Sequence, residues 1–499
     1  MAVKLKVEKL ELIDESAIES LSKEELIDLA KQWRHKIHEY QGILFRVRRR
    51  LFDRKSERSL GGEKGADDTP PAPRGDTIKL PSERYPDALV EENDVDFVKV
   101  PACPCCGALL QDSGMTEDSE YLDVDTKEFI VVQQRRHKHR CVKCHAAIAT
   151  APLPPRVTPG GSYSDQMIVD ASLSKYCDLI PMERYCQMAG RSGLAGLPPH
   201  SLIQASHKLA EFLLDIYDLI RQETLNTAVL LADETPHRML EGDAKKRWFL
   251  WGFSSATACF FECHDTRSGD VSTEVLKSSN LEVLVSDVYS GYIKSLKVIN
   301  KIRAEEGRPL IQAAYCNAHA RREFYSGDDD QENINIDAKF MVDEYKKIYK
   351  LEAEAKGLGL TEVLEKRDQM RPYFEAMKAE ALQKIDAYSS KSQMGGAYGY
   401  FLNNYDGLTL FLSNPKVPIT NNASERLLRS HVVGRKTWYG THSRKGAKTA
   451  AVHFSIVETC KMNGVNPTEY YMDAIRRIHF SEKPMTPWQY KHEPVNDTD

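Results

Sequence analysis

The sequence lacks any apolar run that is long enough to span a membrane. A transmembrane helix needs about 20 apolar residues in a row, and the 499 residues contain no such stretch. The chain also lacks the pattern of a secretory signal peptide. We therefore expect a cytoplasmic protein that has no membrane partner.

The chain also lacks an overall excess of positive charge. It has 68 Lys and Arg against 73 Asp and Glu, which gives a formal net charge of −5 and a pI near 6.3. This average does not favour a nucleic-acid-binding protein, but local basic segments matter more than the total. The length is too great for one core and predicts three or more domains.

Cysteine is scarce along most of the chain, and its distribution disfavours disulfides. The total is 11, and five of these lie between Cys103 and Cys144. Two C-x-x-C pairs, Cys103 with Cys106 and Cys141 with Cys144, indicate a tetrahedral site for a structural Zn²⁺. Four further side chains are possible substitutes in the ligand set: Cys105, His137, His139 and His145.

The N-terminal segments carry basic residues. Apolar residues in heptad spacing predict a coiled-coil helix or helical hairpin in residues 1–58, and its basic end includes Arg48, Arg49 and Arg50 as candidate phosphate contacts. Residues 59–95 are rich in Pro, Gly and charge, which predicts a flexible linker.

A zinc ribbon is predicted for residues 96–150. Residues 133–143 contain five basic residues and no acidic one, so Arg135 and Arg136 are candidate DNA contacts. Helical patterns then predict a helix-turn-helix-like DNA-binding segment in residues 151–224. An ordinary helical hairpin stays open there, because no residue identifies a recognition helix.

Two apolar runs each lead into aspartate. Residues 228–232 precede Asp233 and Glu234, and residues 281–285 precede Asp287. Buried strands that end in this way bring carboxylates to the edge of an α/β sheet, where such folds place their active sites. The order of strand, hairpin, helix and strand between them is typical of ribonuclease H-like folds.

These segments together predict an α+β multidomain protein. We assign a ribonuclease H-like α/β catalytic domain to residues 225–480, with a helical insertion at about 328–413 and a tail at 481–499.

A third acid precedes a cationic segment. Glu425 leads into residues 426–448, which hold seven Arg or Lys residues and no acidic one. Two Mg²⁺ ions prefer oxygen ligands and can act together on a phosphodiester. Asp233, Asp287 and Glu425 could bind such a pair, with Mn²⁺ as a substitute.

By spacing alone the choice of acids stays open, because Glu234, Glu323 and Asp406 are also available. The segment after Glu425 offers six candidate DNA contacts, four of them cationic and two aromatic: Arg426, Arg429, Arg435, Lys436, Trp438 and Tyr439.

Seven blocks of the sequence resemble, in order, the signature blocks of the insertion sequence 66 family of DDE transposases. They are LFDRKSER, CPCCG with CVKC, LADETP, SDVYSGY, YCNAHARREF, NNASERLLRSHVVGRKTW and VETCKMNGVNP. The resemblance implies an N-terminal half that binds element ends and a catalytic domain interrupted before its last acid. It also implies that the catalytic acids are Asp233, Asp287 and Glu425.

Three positions depart from the family blocks. Val288 stands where glycine is common, Thr420 replaces an aspartate, and Asn317 occupies a usual tryptophan position. None of these changes removes a proposed metal ligand. Cys316 and His319 have metal-ligand spacing, but we expect them to orient the end of the sheet rather than to bind a second zinc.

The resemblance implies phosphoryl transfer at transposon ends, in which hydrolysis frees a 3′-hydroxyl that then attacks target DNA. The expected partners are double-stranded DNA at terminal repeats and target, further copies of the chain in a homodimer or higher oligomer, and companion proteins of the element. Two alternatives are a catalytically silent domesticated regulator and a ribonuclease H-like nuclease without strand transfer.

Overall fold

The computed structural model describes residues 127–140, 148–150, 152–240, 247–324, 336–388 and 392–491. Several predictions lie outside the described residues. They are the coiled-coil segment 1–58 with Arg48, Arg49 and Arg50, the linker 59–95, the zinc ligands Cys103, Cys106, Cys141 and Cys144, and the possible substitutes Cys105 and His145.

The described strands form two sheets. A short antiparallel pair consists of β1 (Lys138–Arg140) and β2 (Ile148–Thr150). A mixed sheet contains β3 (Val229–Arg238), β4 (Arg247–Ser254), β5 (Cys259–His264), β6 (Val283–Ser286) and β7 (Gln312–Tyr315). Its strand order is β5-β4-β3-β6-β7. The first three are antiparallel, whereas β3, β6 and β7 are parallel.

Helices surround the mixed sheet. Those before and between the strands are α1 (Asp165–Tyr176), α2 (Met182–Arg191), α3 (Pro199–Phe212), α4 (Leu214–Leu225), α5 (Gly269–Leu276) and α6 (Ser290–Glu305). After β7 come α7 (Asn317–Glu323), α8 (Ile336–Glu354), α9 (Leu360–Asp368), α10 (Arg371–Lys384), α11 (Gln393–Asn403) and α12 (Tyr405–Thr409). The last are α13 (Asn422–Trp438), α14 (Arg444–Asn463), α15 (Pro467–His479) and α16 (Pro487–Tyr490).

Both faces of the central strands are buried, because helices cover each of them. Leu230 and Ala232 belong to a core that also contains residues of α1, α3, α4, α14 and α15. Leu231 and Val285 point to the opposite face and pack with residues of α8, α10 and α11. This explains why β3 and β6 begin as continuous apolar runs rather than alternating ones.

The helical segment before β3 shares a core with the sheet. Ile168 of α1, Leu209 of α3 and Ile216 of α4 pack in one cluster with Trp251 and Ile456. The segment that we expected to bind DNA as a helix-turn-helix is therefore packed against the catalytic segment. The described residues of the predicted insertion are helical, as expected for residues 328–413.

Three local predictions were wrong in their limits. Strand β3 does not end before Asp233 but continues to Arg238, because β4 pairs with it along residues 231–238. The apolar spacing of residues 200–225 predicts one long helix, but this helix is interrupted at Leu213. Residues 120–140 could form two strands of a ribbon hairpin by their sequence, but residues 127–137 form no strand, and β1 begins only at Lys138.

None of the described helices is both long enough and apolar enough to cross a membrane.

Candidate active site

The register of two parallel strands places Asp233 beside Asp287. Leu231 of β3 pairs with Val285 of β6. Asp233 and Asp287 each follow this pair by two residues, and Asp287 comes directly after the last residue of β6. Continuation of the register would bring both carboxylates to the face on which Leu231 and Val285 lie. Neighbouring strands are about 4.8 Å apart, and this face is the one that the insertion covers.

Glu425 reaches this edge on helix α13, which Asn421 fastens to the sheet. The Asn421 side-chain amide donates to the carbonyl of Ala232 at 3.0 Å, directly before Asp233. Its backbone N–H donates to Sγ of Cys316 at 3.2 Å. Asn421 is the N-cap residue but makes no side-chain capping bond. The Asn421 side chain therefore fixes the helix to β3 instead of capping it.

The three predicted acids share one electrostatic environment. Burial and the charges of Glu234, Asp287 and Glu425 raise the pKa of Asp233 to about 8, although the N–H of Glu234 donates to its carboxylate. Like charges and desolvation both disfavour an ionised carboxylate. The cluster thus has oxygen donors and an unfavourable concentration of negative charge, which a divalent cation would relieve.

Glu234 points to the opposite face and is bound there. Its side chain is 1% exposed and pairs with the Arg267 guanidinium at 2.6 Å, and the Tyr292 hydroxyl donates to it at 2.8 Å. Burial raises the pKa of Glu234, while the bonds from Tyr292 and Arg267 lower it in part. The Glu234 carboxylate is therefore engaged elsewhere and is a poorer candidate than Asp233 for the predicted metal-binding triad. The other two, Glu323 and Asp406, are exposed on α7 and α12.

Sequence reasoning missed Arg267, which lies between β5 and α5. Its guanidinium stacks on the Tyr289 ring at 4.1 Å, and the Tyr289 hydroxyl donates to the Arg267 carbonyl at 2.6 Å. Burial alone would lower the pKa of Arg267, but Glu234, Tyr289 and Asp287 raise it above its ordinary value. The side chain is 46% exposed, so this is a fixed cation beside the acidic cluster.

Helix α13 presents cations on its exposed side. Arg426, Arg429 and Lys436 are exposed, and Arg429 lies one turn after Glu425 on the same face. Arg435 is half-buried, and burial lowers its pKa. The exposed cations are therefore better placed than Arg435 for contact with phosphate.

The two aromatic candidates differ in their surroundings. Trp438 packs edge-on against Tyr176, with the Lys175 ammonium 5.2 Å from its ring. Tyr439 is 71% exposed and has a positive φ of 65° at the helix end. We therefore keep Tyr439, and not Trp438, as a candidate for stacking on a base. Among the earlier candidates, Arg135 and Arg136 are also exposed.

A histidine pair joins the two elements that carry Asp233 and Glu425. Nδ1 of His237 on β3 lies 3.1 Å from Nε2 of His431 on α13, and Nε2 of His237 lies 2.7 Å from the Thr441 hydroxyl. Burial lowers the pKa of His237 to about 4 and that of His431 well below its ordinary value. Both imidazoles are thus neutral at pH 7.

The chain after α13 returns to the end of β3. Met239 and Thr441 form a parallel bridge, and Gly440 between the helix and the bridge has a φ of 134°. A Cβ at Gly440 would collide with the carbonyl of Arg238, so only glycine permits this close approach.

Cys316 and His319 lie at the end of β7 and the start of α7. Cys316 is fully buried, and Nε2 of His319 is 3.7 Å from a carboxylate oxygen of Glu425. The structure therefore brings this C-x-x-H pair next to the third predicted acid. Asn317 between them donates to the carbonyls of Leu408 and Ile419, and so fixes α7 to the insertion.

The fold and the site define a class of protein. An acidic cluster at the edge of a mixed α+β sheet, next to an exposed cationic helix, is suited to metal-dependent chemistry on a phosphodiester. The chain belongs to the IS66 transposase family, since the family model described as Transposase IS66 family matches residues 160–449. Membership confirms the resemblance seen in the sequence motifs and implies a DNA-binding, DNA-modifying enzyme.

Three relatives from Sinorhizobium fredii (strain NBRC 101917 / NGR234) are similar over most of their length. The uncharacterized protein y4hP is 27% identical over 446 residues, which covers 84% of this chain and 78% of the relative. The uncharacterized protein y4jD is 25% identical and covers 79% of each chain. The uncharacterized protein y4qI is 27% identical over 80% of this chain and 76% of its own.

Proposed function

We propose that this protein is a DDE transposase that binds the ends of its element, cleaves there by metal-dependent hydrolysis and joins the freed 3′-hydroxyl to target DNA. The observation that carries the proposal is the parallel pairing of β3 with β6, which brings the strand that precedes Asp287 alongside the strand that carries Asp233. Family membership supports the same reading. The alternating order β5-β4-β3-β6-β7, with its change from antiparallel to parallel at β3, supports a ribonuclease H-like catalytic domain.

The acidic cluster fits a pair of Mg²⁺ ions, with Mn²⁺ as a substitute. Asp233, Asp287 and Glu425 would hold the ions through carboxylate oxygens, which are the ligands that Mg²⁺ prefers. When bound, two such ions activate the attacking oxygen and stabilise the leaving oxygen of a phosphodiester. Burial is the main cause of the raised pKa of Asp233, and the charges of Glu234, Asp287 and Glu425 add to it. A bound cation would offset both effects and so favour the ionised carboxylate.

The cationic residues would hold and orient the DNA. Arg426, Arg429 and Lys436 line the exposed side of the helix that carries Glu425, so they can contact phosphates on either side of the scissile bond. The Arg267 guanidinium pairs with the Glu234 carboxylate and stacks on the Tyr289 ring. Because these contacts already restrict the side chain, it loses less conformational entropy when it binds a phosphate. Tyr439 is exposed enough to stack on an unpaired base.

A structural Zn²⁺ bound by Cys103, Cys106, Cys141 and Cys144 remains part of the proposal. The antiparallel pair of β1 and β2 supports it, because the chain between these strands contains the second C-x-x-C pair. Such a ribbon and the basic N-terminal segment would bind the terminal repeats. Homodimers or higher oligomers, and companion proteins of the element, complete the proposed assembly.

The proposal is tested with labelled DNA that carries the element's own ends. We expect Mg²⁺ or Mn²⁺ to give nicked and joined products with the wild-type protein. Asp287→Ala should reduce both nicking and joining by more than about 100-fold at matched DNA binding. Loss of a residue that merely hydrogen-bonds to a metal ligand already costs about 10–100-fold. Asp218→Ala, an exposed acid on α4, is the matched control and should retain both activities.

Each alternative gives a different result. Cleavage without joining of a pre-cut end would indicate a nuclease instead of a transposase. If the wild-type protein binds the ends but never cuts them, even with companion proteins present, the protein is a catalytically silent regulator and not a transposase. Equal cleavage by wild type and Asp287→Ala would contradict the proposed acids.

A further inference from the structure

Three side chains with different donor atoms converge beside the acidic cluster. One ligand atom from each of Cys316, His319 and Glu425 lies within 4.8 Å of the other two. Cys316 is at the N-terminus of α7, His319 is in its first turn, and Glu425 comes from α13. The cluster therefore depends on the packing of two helices against the same end of the sheet.

Hydrogen bonding does not explain the position of the His319 ring. Nδ1 is buried and has no hydrogen-bond partner in the described part of the chain. Nε2 is 3.7 Å from the Glu425 carboxylate, which is too long for a hydrogen bond. Two ligands of one tetrahedral zinc are about 3.4 Å apart, given bond lengths of about 2.0–2.2 Å. A small rotation of the two side chains would place both at that distance.

The donor set selects a transition metal rather than Mg²⁺. A thiolate and an imidazole are ligands for Zn²⁺ and related ions, whereas Mg²⁺ prefers oxygen alone. One thiolate, one carboxylate and a neutral imidazole balance the charge of a divalent ion. The Cys316 thiol releases its proton to solvent when the ion binds, and the Asn421 N–H that already donates to Sγ stabilises the resulting thiolate.

We propose that Cys316, His319 and Glu425 form a binding site for Zn²⁺ or a similar transition ion, with a fourth position open to solvent. Three protein ligands and one open position are typical of catalytic zinc sites, whereas structural sites have four protein ligands. This proposal departs from our expectation from the sequence, in which Cys316 and His319 orient the end of the sheet rather than bind a second zinc. The site is distinct from the predicted N-terminal zinc ribbon.

The site shares Glu425 with the proposed magnesium site, which gives it a regulatory consequence. An ion held by Cys316 and His319 withdraws Glu425 from the ions bound by Asp233 and Asp287. Zn²⁺ therefore inhibits the Mg²⁺-dependent reaction by competing for one carboxylate. This consequence rests on the proposed transposase activity, whereas the binding of the ion does not.

Binding is measured with Co²⁺, which reports thiolate coordination through a charge-transfer band. The full chain is loaded with zinc so that the proposed ribbon is occupied, zinc at the open site is removed by dialysis against a weak chelator, and Co²⁺ is then titrated. We expect one additional Co²⁺ per chain in the wild type and no such band in Cys316→Ser. His319→Ala should weaken binding of the additional Co²⁺ by more than about 10-fold. Loss of a residue that only supports a metal ligand already costs at least about that much.

The controls separate ligand loss from misfolding. His200→Ala, an exposed histidine at the start of α3, should bind Co²⁺ as the wild type does. Because Cys316 is fully buried, each variant is compared by thermal unfolding. If Cys316→Ser does not fold, His319→Ala decides the question, since the His319 side chain is 29% exposed. Wild-type Co²⁺ binding in either folded variant would overturn the site.

Inhibition is measured separately from binding. Zn²⁺ should inhibit Mg²⁺-dependent cleavage by the wild type, and the concentration for half-inhibition should rise in His319→Ala by the same factor as the Co²⁺ dissociation constant. An unchanged half-inhibition would overturn the regulatory consequence. If no cleavage is seen at all, the transposase proposal fails while the Co²⁺ titration still tests the site.

Discussion

Adjacent acids on one strand take different roles because successive side chains of a strand point to opposite faces. Asp233 faces the insertion and the other two predicted metal ligands. Glu234, the next residue, faces the opposite core, where it binds Arg267 and Tyr292. The sequence DETP thus provides one carboxylate for the site and one for the support of a neighbouring cation.

At the residue scale, Glu234→Ala should destabilise the fold by about 1–3 kcal/mol, the cost of leaving buried polar partners unsatisfied. The loss is visible in chemical denaturation. Glu274→Ala removes an acid from an exposed pair with Lys277 and should cost less than about 1 kcal/mol. Equal effects in the two variants would show that the bond to Arg267 contributes little to stability.

A second residue-scale prediction concerns Arg429. Removal of one phosphate contact should weaken DNA binding for all sequences and reduce the slope of log affinity against log salt by about 1. Fluorescence anisotropy with a labelled duplex at several salt concentrations measures this slope for wild type and Arg429→Ala. Lys346→Ala, an exposed cation on α8, is the control. An unchanged slope in Arg429→Ala would remove this residue from the DNA-binding surface.

At the scale of elements, the site is assembled by the docking of α13 on β3. Asn421 bonds to Ala232 at one end of the contact, and His237 meets His431 about three turns further along the helix. Both connections are buried and neutral. The position of Glu425 relative to Asp233 therefore depends on two polar contacts between residues far apart in the sequence, one from a side chain to a backbone carbonyl and one between two side chains.

The histidine pair makes this contact sensitive to acid. In the unfolded chain a histidine takes up a proton below its ordinary pKa of about 6.5, whereas the folded His237 stays neutral down to about pH 4. The unfolded state thus binds more protons between these values. Stability from His237 is fully present above pH 6.5 and decreases as the pH falls toward 4.

Asp233 has the opposite effect on stability. Its pKa is raised to about 8 in the folded state, so the folded protein becomes less stable as the pH rises toward this value. The measurement is therefore the difference in thermal midpoint between wild type and His237→Gln at pH 7.5 and pH 5. We expect the fall in the midpoint on acidification to be smaller in the variant. An equal fall in both proteins would contradict the assignment.

At the scale of the whole molecule, the sheet is shared by two helical layers. Helix α14 is buried along most of its length and connects β5 with the helical segment that precedes β3. The insertion forms its own layer on the other face and covers the side that carries Asp233. Because the helices before β3 share a core with the sheet and α14, they belong to the same packed unit as the strand that carries Asp233.

This shared core predicts coupled unfolding. Ile456→Ala in α14 should cost about 2–5 kcal/mol, the usual effect of this truncation in a core. Hydrogen exchange should show lower protection in both α1–α4 and β3–β5. Leu382→Ala, which truncates an exposed side chain on α10, should stay within about 0.5 kcal/mol. Loss of protection in only one of the two regions would show that they are separate domains.

The sequence by itself determined which segments form strands and helices and which acids follow the apolar runs, because apolar runs and helical periodicity are local signals. Strands β3, β6 and β7, the helical insertion and the position of Asp287 after a buried strand all follow from neighbouring residues. The resemblance to the family motifs added the prediction that Asp233, Asp287 and Glu425 are the catalytic acids.

Only the tertiary structure decided which side chains meet. The continuation of β3 to Arg238 depends on pairing with β4, and the bonds from Arg267 to Glu234 and from Asn421 to Ala232 join residues far apart in the chain. The cluster of Cys316, His319 and Glu425 likewise requires two helices to end at one edge of the sheet. Such contacts follow from register and packing, which no local pattern of residues specifies.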